Sequence, residues 1–274
     1  MKTKRSLFHH FAASPYWIWS AMFIIAPLIV VVYFAFTDTK GAFTFDNIAS
    51  LASYGQTFAM SLSFSLIATT VCLLIGYPLA YCMSRMSEKS RNILVVLLML
   101  PMWISLLIRT YSLMTLLDNG GLISTFLQSI GLPKLAFIGT DAAVILGMIY
   151  DFLPYMVLPI YTSLVKIDKR YIEASADLGS NSFTTLRKII FPLTRPGIIS
   201  GITMVFVPSI STFYISQKLG GGSFDLIGDT IERQFQNQVT YHTGAAISLV
   251  MMILILVSLA IMNKFTDGEE EIIV

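Results

Sequence analysis

Six runs of roughly twenty apolar residues dominate this chain, and as a helix rising 1.5 Å per residue each is long enough to cross a ~30 Å hydrocarbon core. They are Trp17 to Phe36, Met60 to Met83, Ile93 to Leu117, Ala142 to Val165, Ile198 to Ile215 and Ala245 to Met262. Of the 274 residues, 55% are hydrophobic and only 12% charged, whereas a soluble domain carries about a quarter charged residues. The expected fold is therefore an all-α integral membrane protein of six transmembrane helices. A membrane domain over 17–262 follows an amino-terminal segment, 1–16, and precedes an acidic tail, 263–274, whose Asp267, Glu269, Glu270 and Glu271 read as a solvated end. The first run follows Lys2, Lys4 and Arg5 as a signal peptide would, but it exceeds a typical h-region and shows no small-x-small pattern at Ala35-Phe36-Thr37; it reads as a retained anchor.

The basic residues orient the spans. With an inside amino terminus, thirteen Lys and Arg fall on the inner side: Lys2, Lys4, Arg5, Arg85, Lys89, Arg91, Lys166, Lys169, Arg170, Arg187, Lys188, Arg195 and Lys264. Four fall outside, Lys40, Lys134, Lys218 and Arg233. This asymmetry predicts both termini in the cytoplasm. Pro27, Pro78, Pro101, Pro154, Pro159 and Pro208 punctuate the spans, as helices that line a moving path allow.

Several chemistries lack their residues. Cys72 and Cys82 sit ten positions apart in one helical run, about 15 Å along its axis and beyond disulfide reach. There is no CxxC, no HExxH and no GxxxxGK[ST], and His9, His10 and His242 are the only histidines. No metal site or nucleotide loop is expected, so any work done with ATP and magnesium requires another chain.

The longest inner loop, Lys166 to Gly197, is more than a connector. Asp168 can cap a helix in which Tyr171, Ser175 (or Ala174) and Leu178 form a narrow apolar stripe. Gly179 supplies the left-handed stop. Ser180, Asn181 or Ser182 then cap a second short helix with Phe183, Leu186 and Ile190 on its apolar side, before Pro192 and Pro196-Gly197 reset the chain. The product is a helix, a sharp turn and a helix, which either knobs into a partner or rests on the membrane surface. Glu173 and Asp177 offer carboxylates on an otherwise basic element.

Glu173-Ala174-Ser175, three residues, Gly179, nine residues, Ile189, one residue and Phe191-Pro192 resembles the EAA motif of ABC-importer permease subunits, which runs EAA, three residues, G, nine residues, I, one residue, LP. The spacing matches throughout, with Ser175 in place of Ala and Phe191 in place of Leu. The flanking LIGYPLAY (Leu74 to Tyr81), LPMWISLLIRTYSLM (Leu100 to Met114), GMIYDFLPYMVLPIYTSL (Gly147 to Leu164) and LIGDTIERQF (Leu226 to Phe235) look like permeases of spermidine/putrescine importers.

This resemblance implies a type I importer architecture and a non-enzymatic subunit that forms half of a translocation pathway in the bacterial cytoplasmic membrane. It implies a similar but distinct second permease, two copies of an ATPase that hold ATP and magnesium, and an extracytoplasmic polyamine-binding protein. It also implies that Glu173, Ala174, Ser175, Asp177, Gly179, Ile189 and Pro192 couple the chain to the ATPase.

Arg109 and Asp151 are the ionisable residues within the spans and lie at matching depths. Each would cost about 2.5–3.5 kcal/mol facing lipid, so an ion pair joining the third and fourth spans is expected. The alternative role for Asp151 is to meet a passing ammonium group, with Tyr150, Tyr155, Tyr161, Trp103 and Tyr111 offering aromatic faces nearby. Outer Asp225, Asp229 and Glu232 recur at helical spacing, most simply as a solvated face. Two other function classes stand as rivals. An ion-coupled secondary transporter predicts more intramembrane carboxylates and an inverted repeat; a permease for another small solute shares every feature but the substrate.

Overall fold

A backbone in hydrocarbon must satisfy its own hydrogen bonds, and apolar runs with no competing water do so as helices. The structure is a computed structural model that describes residues 15–131, 137–237 and 239–270, with the backbone alone at 127 and over 265–270. Lys2, Lys4, Arg5, His9, His10, Lys134 and Glu271 lie outside the described residues, as do the side chains of Asp267, Glu269 and Glu270.

Along the chain the helices are α1 (Pro15–Ala35), α2 (Gly55–Arg85, led into by helical turns at Asp46–Ala49 and Ser50–Tyr54), α3 (Glu88–Trp103), α4 (Leu106–Leu117), α5 (Leu122–Ser129), α6 (Asp141–Val165), α7 (Lys169–Asp177), α8 (Ser182–Leu193), α9 (Arg195–Ser211), α10 (Tyr214–Leu219), α11 (Ile227–Gln236) and α12 (Tyr241–Glu270). The sole strand-like pairing among the described residues is the bridge Thr37 to Phe43.

Among the described residues four helical stretches are long and apolar enough to cross a membrane, Pro15–Ala35, Asp46–Arg85, Asp141–Val165 and Tyr241–Lys264, and two bent helix pairs raise the number to six. The six expected spans are present with two of them broken, and the limits expected for the fifth are corrected. The third breaks after Trp103, where α3 and α4 meet at 95°. Pro101 lacks the N–H that would hold this last turn, and Ile104 and Ser105 are extended, with ψ of 136° at both. The fifth begins earlier than Ile198, at Arg195, and stops at Ser211; Thr212 and Phe213 intervene before α10.

The chain divides into two compact units. The first comprises Met1–Gly55 and Thr230–Leu254. In it Ala35, Ala245, Ala246 and Leu249 form a small core with Phe34 and Val31 packed against it. His242 Nδ1 lies 3.1 Å from the Phe34 carbonyl. Trp17, Ile18, Met22 and Phe23 of α1 are exposed, so this helix turns apolar side chains outward for most of its length.

The second unit comprises Gln56–Asp229 and Ile255–Val274 and is built around α6. Met148, Met156, Val157 and Ile160 of α6 are fully buried, packed with Ala68, Cys72 and Ala80 of α2 and with Ile215 and Leu219 of α10. Helix α9 lies close against α6 because Gly197 and Gly201, four residues apart, face it. A Cβ at Gly201 would stand 3.0 Å from the Met156 carbonyl oxygen, and one at Gly197 2.6 Å from that of Pro159. Small residues one turn apart are how membrane helices approach when no hydrophobic effect drives them together.

Gly201→Val should therefore destabilise the second unit by about 1–3 kcal/mol, the usual cost of overpacking. Thermal melts in detergent check this: Gly201→Val should melt earlier than wild type, while Ser200→Val, on the exposed side of the same turn, should not.

Candidate functional site

The segment between α6 and α9 folds as the helix, turn and helix that its residues favour. Asp168 opens α7 by accepting from the Arg170 N–H at 2.9 Å. At the other end Gly179 adopts φ +76°. Its N–H donates to the Ala176 carbonyl at 2.9 Å, and the Ser180 N–H donates to that of Ser175 at 3.0 Å. This pairing is the Schellman closure, which needs a residue tolerant of the left-handed region. Asn181 then starts α8 by accepting from the Thr184 N–H at 2.8 Å.

The two helices are joined by the Ser175 and Thr185 hydroxyls, 2.8 Å apart and both buried. Ser175, where the importer motif has Ala, is thus accommodated by a hydroxyl across the hairpin. Here the expected apolar stripe is corrected. Ser175 turns inward, whereas Tyr171 and Leu178 are exposed, Leu178 by 86%. On α8 Ile190 is buried and Leu186 half-buried, but Phe183 is 70% exposed, and residues Leu186–Ile190 widen into a π turn.

Glu173, Ala174 and Asp177 are exposed, while Ile189 and Pro192 are half-buried. Between the two helices opens a cavity of about 310 Å³ bordered by Ala174, Leu178, Thr184, Lys188 and Ile189. Exposed Leu178 and half-buried Ile189 stand beside Lys188 at this concavity.

Within the spans, Arg109 on α4 and Asp151 on α6 form a buried ion pair, Nη1 to Oδ1 3.2 Å, with side-chain exposures of 6% and 0%. The same Nη1 donates to the Asp151 backbone carbonyl at 3.2 Å. The Thr110 hydroxyl stands 3.3 Å from Asp151 Oδ2, a partner the sequence reading missed, although its position beside Arg109 is a local signal for it.

Among the described residues the Asp151 carboxylate takes its polar partners from α4 and none from the aromatic residues. Trp103 is 74% exposed at the end of α3 and Tyr150 43% exposed; Tyr155 is half-buried against Phe152. Tyr111 instead meets Tyr214 edge-on at 5.8 Å, and Lys218 Nζ lies 5.2 Å from the Tyr111 ring and 5.6 Å from the Tyr214 ring. Of the outer acids, Asp229 is buried and accepts from the Leu226 N–H at 2.8 Å, so its place on a solvated face is corrected.

A multi-pass helical protein with broken spans and a structured hairpin between them is a type I ABC-importer permease in architecture. The chain belongs to the family described as binding-protein-dependent transport system inner membrane component, whose model matches residues 16–268. It is 34% identical to the spermidine/putrescine transport system permease protein PotB of Haemophilus influenzae over 99% of this chain and 100% of that protein. It is 37% identical to PotB of Escherichia coli over 86% of this chain and 89% of that one. Among solved structures, a bacterial ABC transporter involved in import of the acidic polysaccharide alginate matches with a TM-score of 0.78 at 20% identity, covering 97% of this chain and 96% of that one. That likeness concerns the fold.

Removing one member of the ion pair leaves a buried unmatched charge, a loss of about 3–5 kcal/mol. Asp151→Asn should therefore lower the yield of folded protein, and adding Arg109→Gln should restore it. Quantitative blotting of membranes checks the pair; wild-type levels of Asp151→Asn alone would contradict it.

Proposed function

We propose that this chain forms half of the translocation pathway of a polyamine importer, for spermidine and putrescine, in the bacterial cytoplasmic membrane with both termini inside. The observation that carries the substrate is identity of 34–38% to spermidine/putrescine permeases along nearly the whole chain. The basic asymmetry of the loops supports the orientation. In this reading a similar but distinct permease completes the pathway. Two ATPase copies hold ATP and magnesium, this chain binds no cofactor and catalyses nothing, and an external binding protein delivers the polyamine.

The hairpin of α7 and α8 is the coupling element. Glu173, Ala174, Ser175, Asp177, Gly179, Ile189 and Pro192 all lie on or beside it, and ATP hydrolysis next door moves it and rocks the spans. Asp151 serves first to hold α4 to α6. Its charge also biases the interior toward cations, with Tyr150, Tyr155, Trp103 and Tyr111 lining the path once the spans move apart.

Proteoliposomes that combine the chain with a second permease, the ATPase and the binding protein should accumulate spermidine or putrescine only with ATP on the ATPase side. Uptake driven by an ion gradient without ATP would instead establish a secondary transporter, and ATP-driven uptake of another solute in preference to both amines would move the substrate.

Two substitutions probe the coupling. Gly179→Val forces a β-branched residue into positive φ, so transport should fall well below wild type while membrane insertion persists; normal uptake and normal solute-stimulated ATPase activity would refute the role. Glu173→Lys reverses an exposed charge expected to meet a basic partner, and should reduce copurified ATPase, more so at low salt. Full recovery at both low and high salt would place Glu173 in solvent.

A further inference from the structure

Where α2 and α6 leave their apolar stretches, a pocket of about 280 Å³ opens beside the foot of α7. Three basic side chains line it, Arg85 from the end of α2, Arg91 from the first turns of α3 and Lys169 from the start of α7. No carboxylate is among its lining residues. The nearby Asp168 is engaged elsewhere, capping α7 and standing 3.9 Å from the Arg170 guanidinium.

The Arg85 guanidinium is held in place by Tyr81, stacked 5.1 Å from its ring centroid with Nη2 donating to the hydroxyl at 3.3 Å. Arg91 Nε is buried and has no hydrogen-bond partner among the described residues. A buried guanidinium N–H left unmatched is costly, and an anion removes that cost. Apart from Tyr81 and Ser84, whose hydroxyl donates to the Tyr81 carbonyl at 2.8 Å, the rest of the wall is apolar and includes Leu164, Val165, Ile172 and Ile190.

We propose that this pocket binds the phosphate of an anionic phospholipid headgroup. Three cations from separate segments converge as an oxyanion requires, and the arginines present forked donors suited to phosphate. A soluble phosphate would need only the basic half. The apolar half, at the level where membrane spans end, fits the glycerol and first methylenes of a lipid, and basic pockets between helices at a membrane face are sites for such headgroups. The inference stands apart from the identity of the transported solute. It locates an anionic lipid under the hairpin's foot, bridging α2, α3 and α7.

The full chain in nanodiscs of phosphatidylglycerol mixed with phosphatidylcholine, transferred to mild detergent and weighed by native mass spectrometry, tests this. Wild type should retain phosphatidylglycerol in preference to phosphatidylcholine, and Arg91→Gln should weaken retention about fivefold, the contribution of one basic residue near an anionic surface. Arg91→Lys should fall between. The exposed pair Arg85→Gln with Lys169→Gln should weaken retention too, and provides the test should Arg91→Gln fail to fold. Lys264→Gln, remote in sequence and exposed, should change nothing.

If inorganic phosphate displaces the retained mass and is lost by the same variants, the oxyanion site stands with a soluble occupant in place of the lipid. Equal retention by Arg91→Gln, by the double variant and by wild type would overturn the proposal. So would a loss matched by Lys264→Gln. Unchanged lipid retention with loss of copurified ATPase would assign the pocket to a protein partner instead.

Discussion

In hydrocarbon a backbone N–H or C=O has no water to fall back on, so every interruption of a span must be matched by a partner within the protein. The breaks in this chain are placed accordingly. At Thr194, between α8 and α9, the buried hydroxyl accompanies the Phe191 carbonyl at 3.0 Å and the Tyr77 hydroxyl at 3.2 Å. Between α4 and α6 the Asp151 carbonyl accepts from the Arg109 guanidinium at 3.2 Å. Cys72, central in α2, directs its thiol to the Ile149 carbonyl of α6 at 3.8 Å. Side chains that look out of place in apolar runs are largely the ones that stitch those runs together.

Arg109 and Asp151 follow the same logic at higher cost. An ion in lipid is expensive, and a matched, hydrogen-bonded pair is tolerable rather than a source of stability. Its value lies in register. In this placement of α4 along α6 one guanidinium nitrogen reaches both a carboxylate oxygen and the backbone carbonyl of the same residue, contacts that a slide of either helix would break. A greasy helix pair without such a pin has many near-equivalent sliding positions.

The existence and approximate limits of the spans were legible because length and hydropathy dictate them. The hairpin was legible because Asp168, Gly179 and Asn181 each carry a specific backbone preference, and all three act where those preferences place them. What could not be read was direction. Tyr171 and Leu178 have the spacing of a buried stripe, yet the inward position belongs to Ser175, because Thr185 across the turn offers it a hydroxyl and a short hairpin has no core for large side chains. The 95° turn after Trp103 escaped for a related reason. Pro101 announces a kink, but the angle depends on the extended Ile104 and Ser105, whose residue types permit helix equally well. The aromatic faces offered to Asp151 were equally unreadable, since Tyr111 is claimed by Tyr214 and Lys218, which lie a hundred residues away.

The 65° elbow between α8 and α9 turns the hairpin into a bell crank. Its arm is stiffened by the clasp between Ser175 and Thr185. Its pivot sits under Tyr77, whose ring approaches Phe191 at 5.7 Å and whose hydroxyl meets Thr194. Under the coupling role proposed above, a push along the membrane plane on a stiff arm would arrive at the pivot as torque on α9. Because Gly197 and Gly201 seat α9 directly on the α6 backbone with no room for a side chain between them, that torque would be handed to α6, so the two helices would turn as one gear.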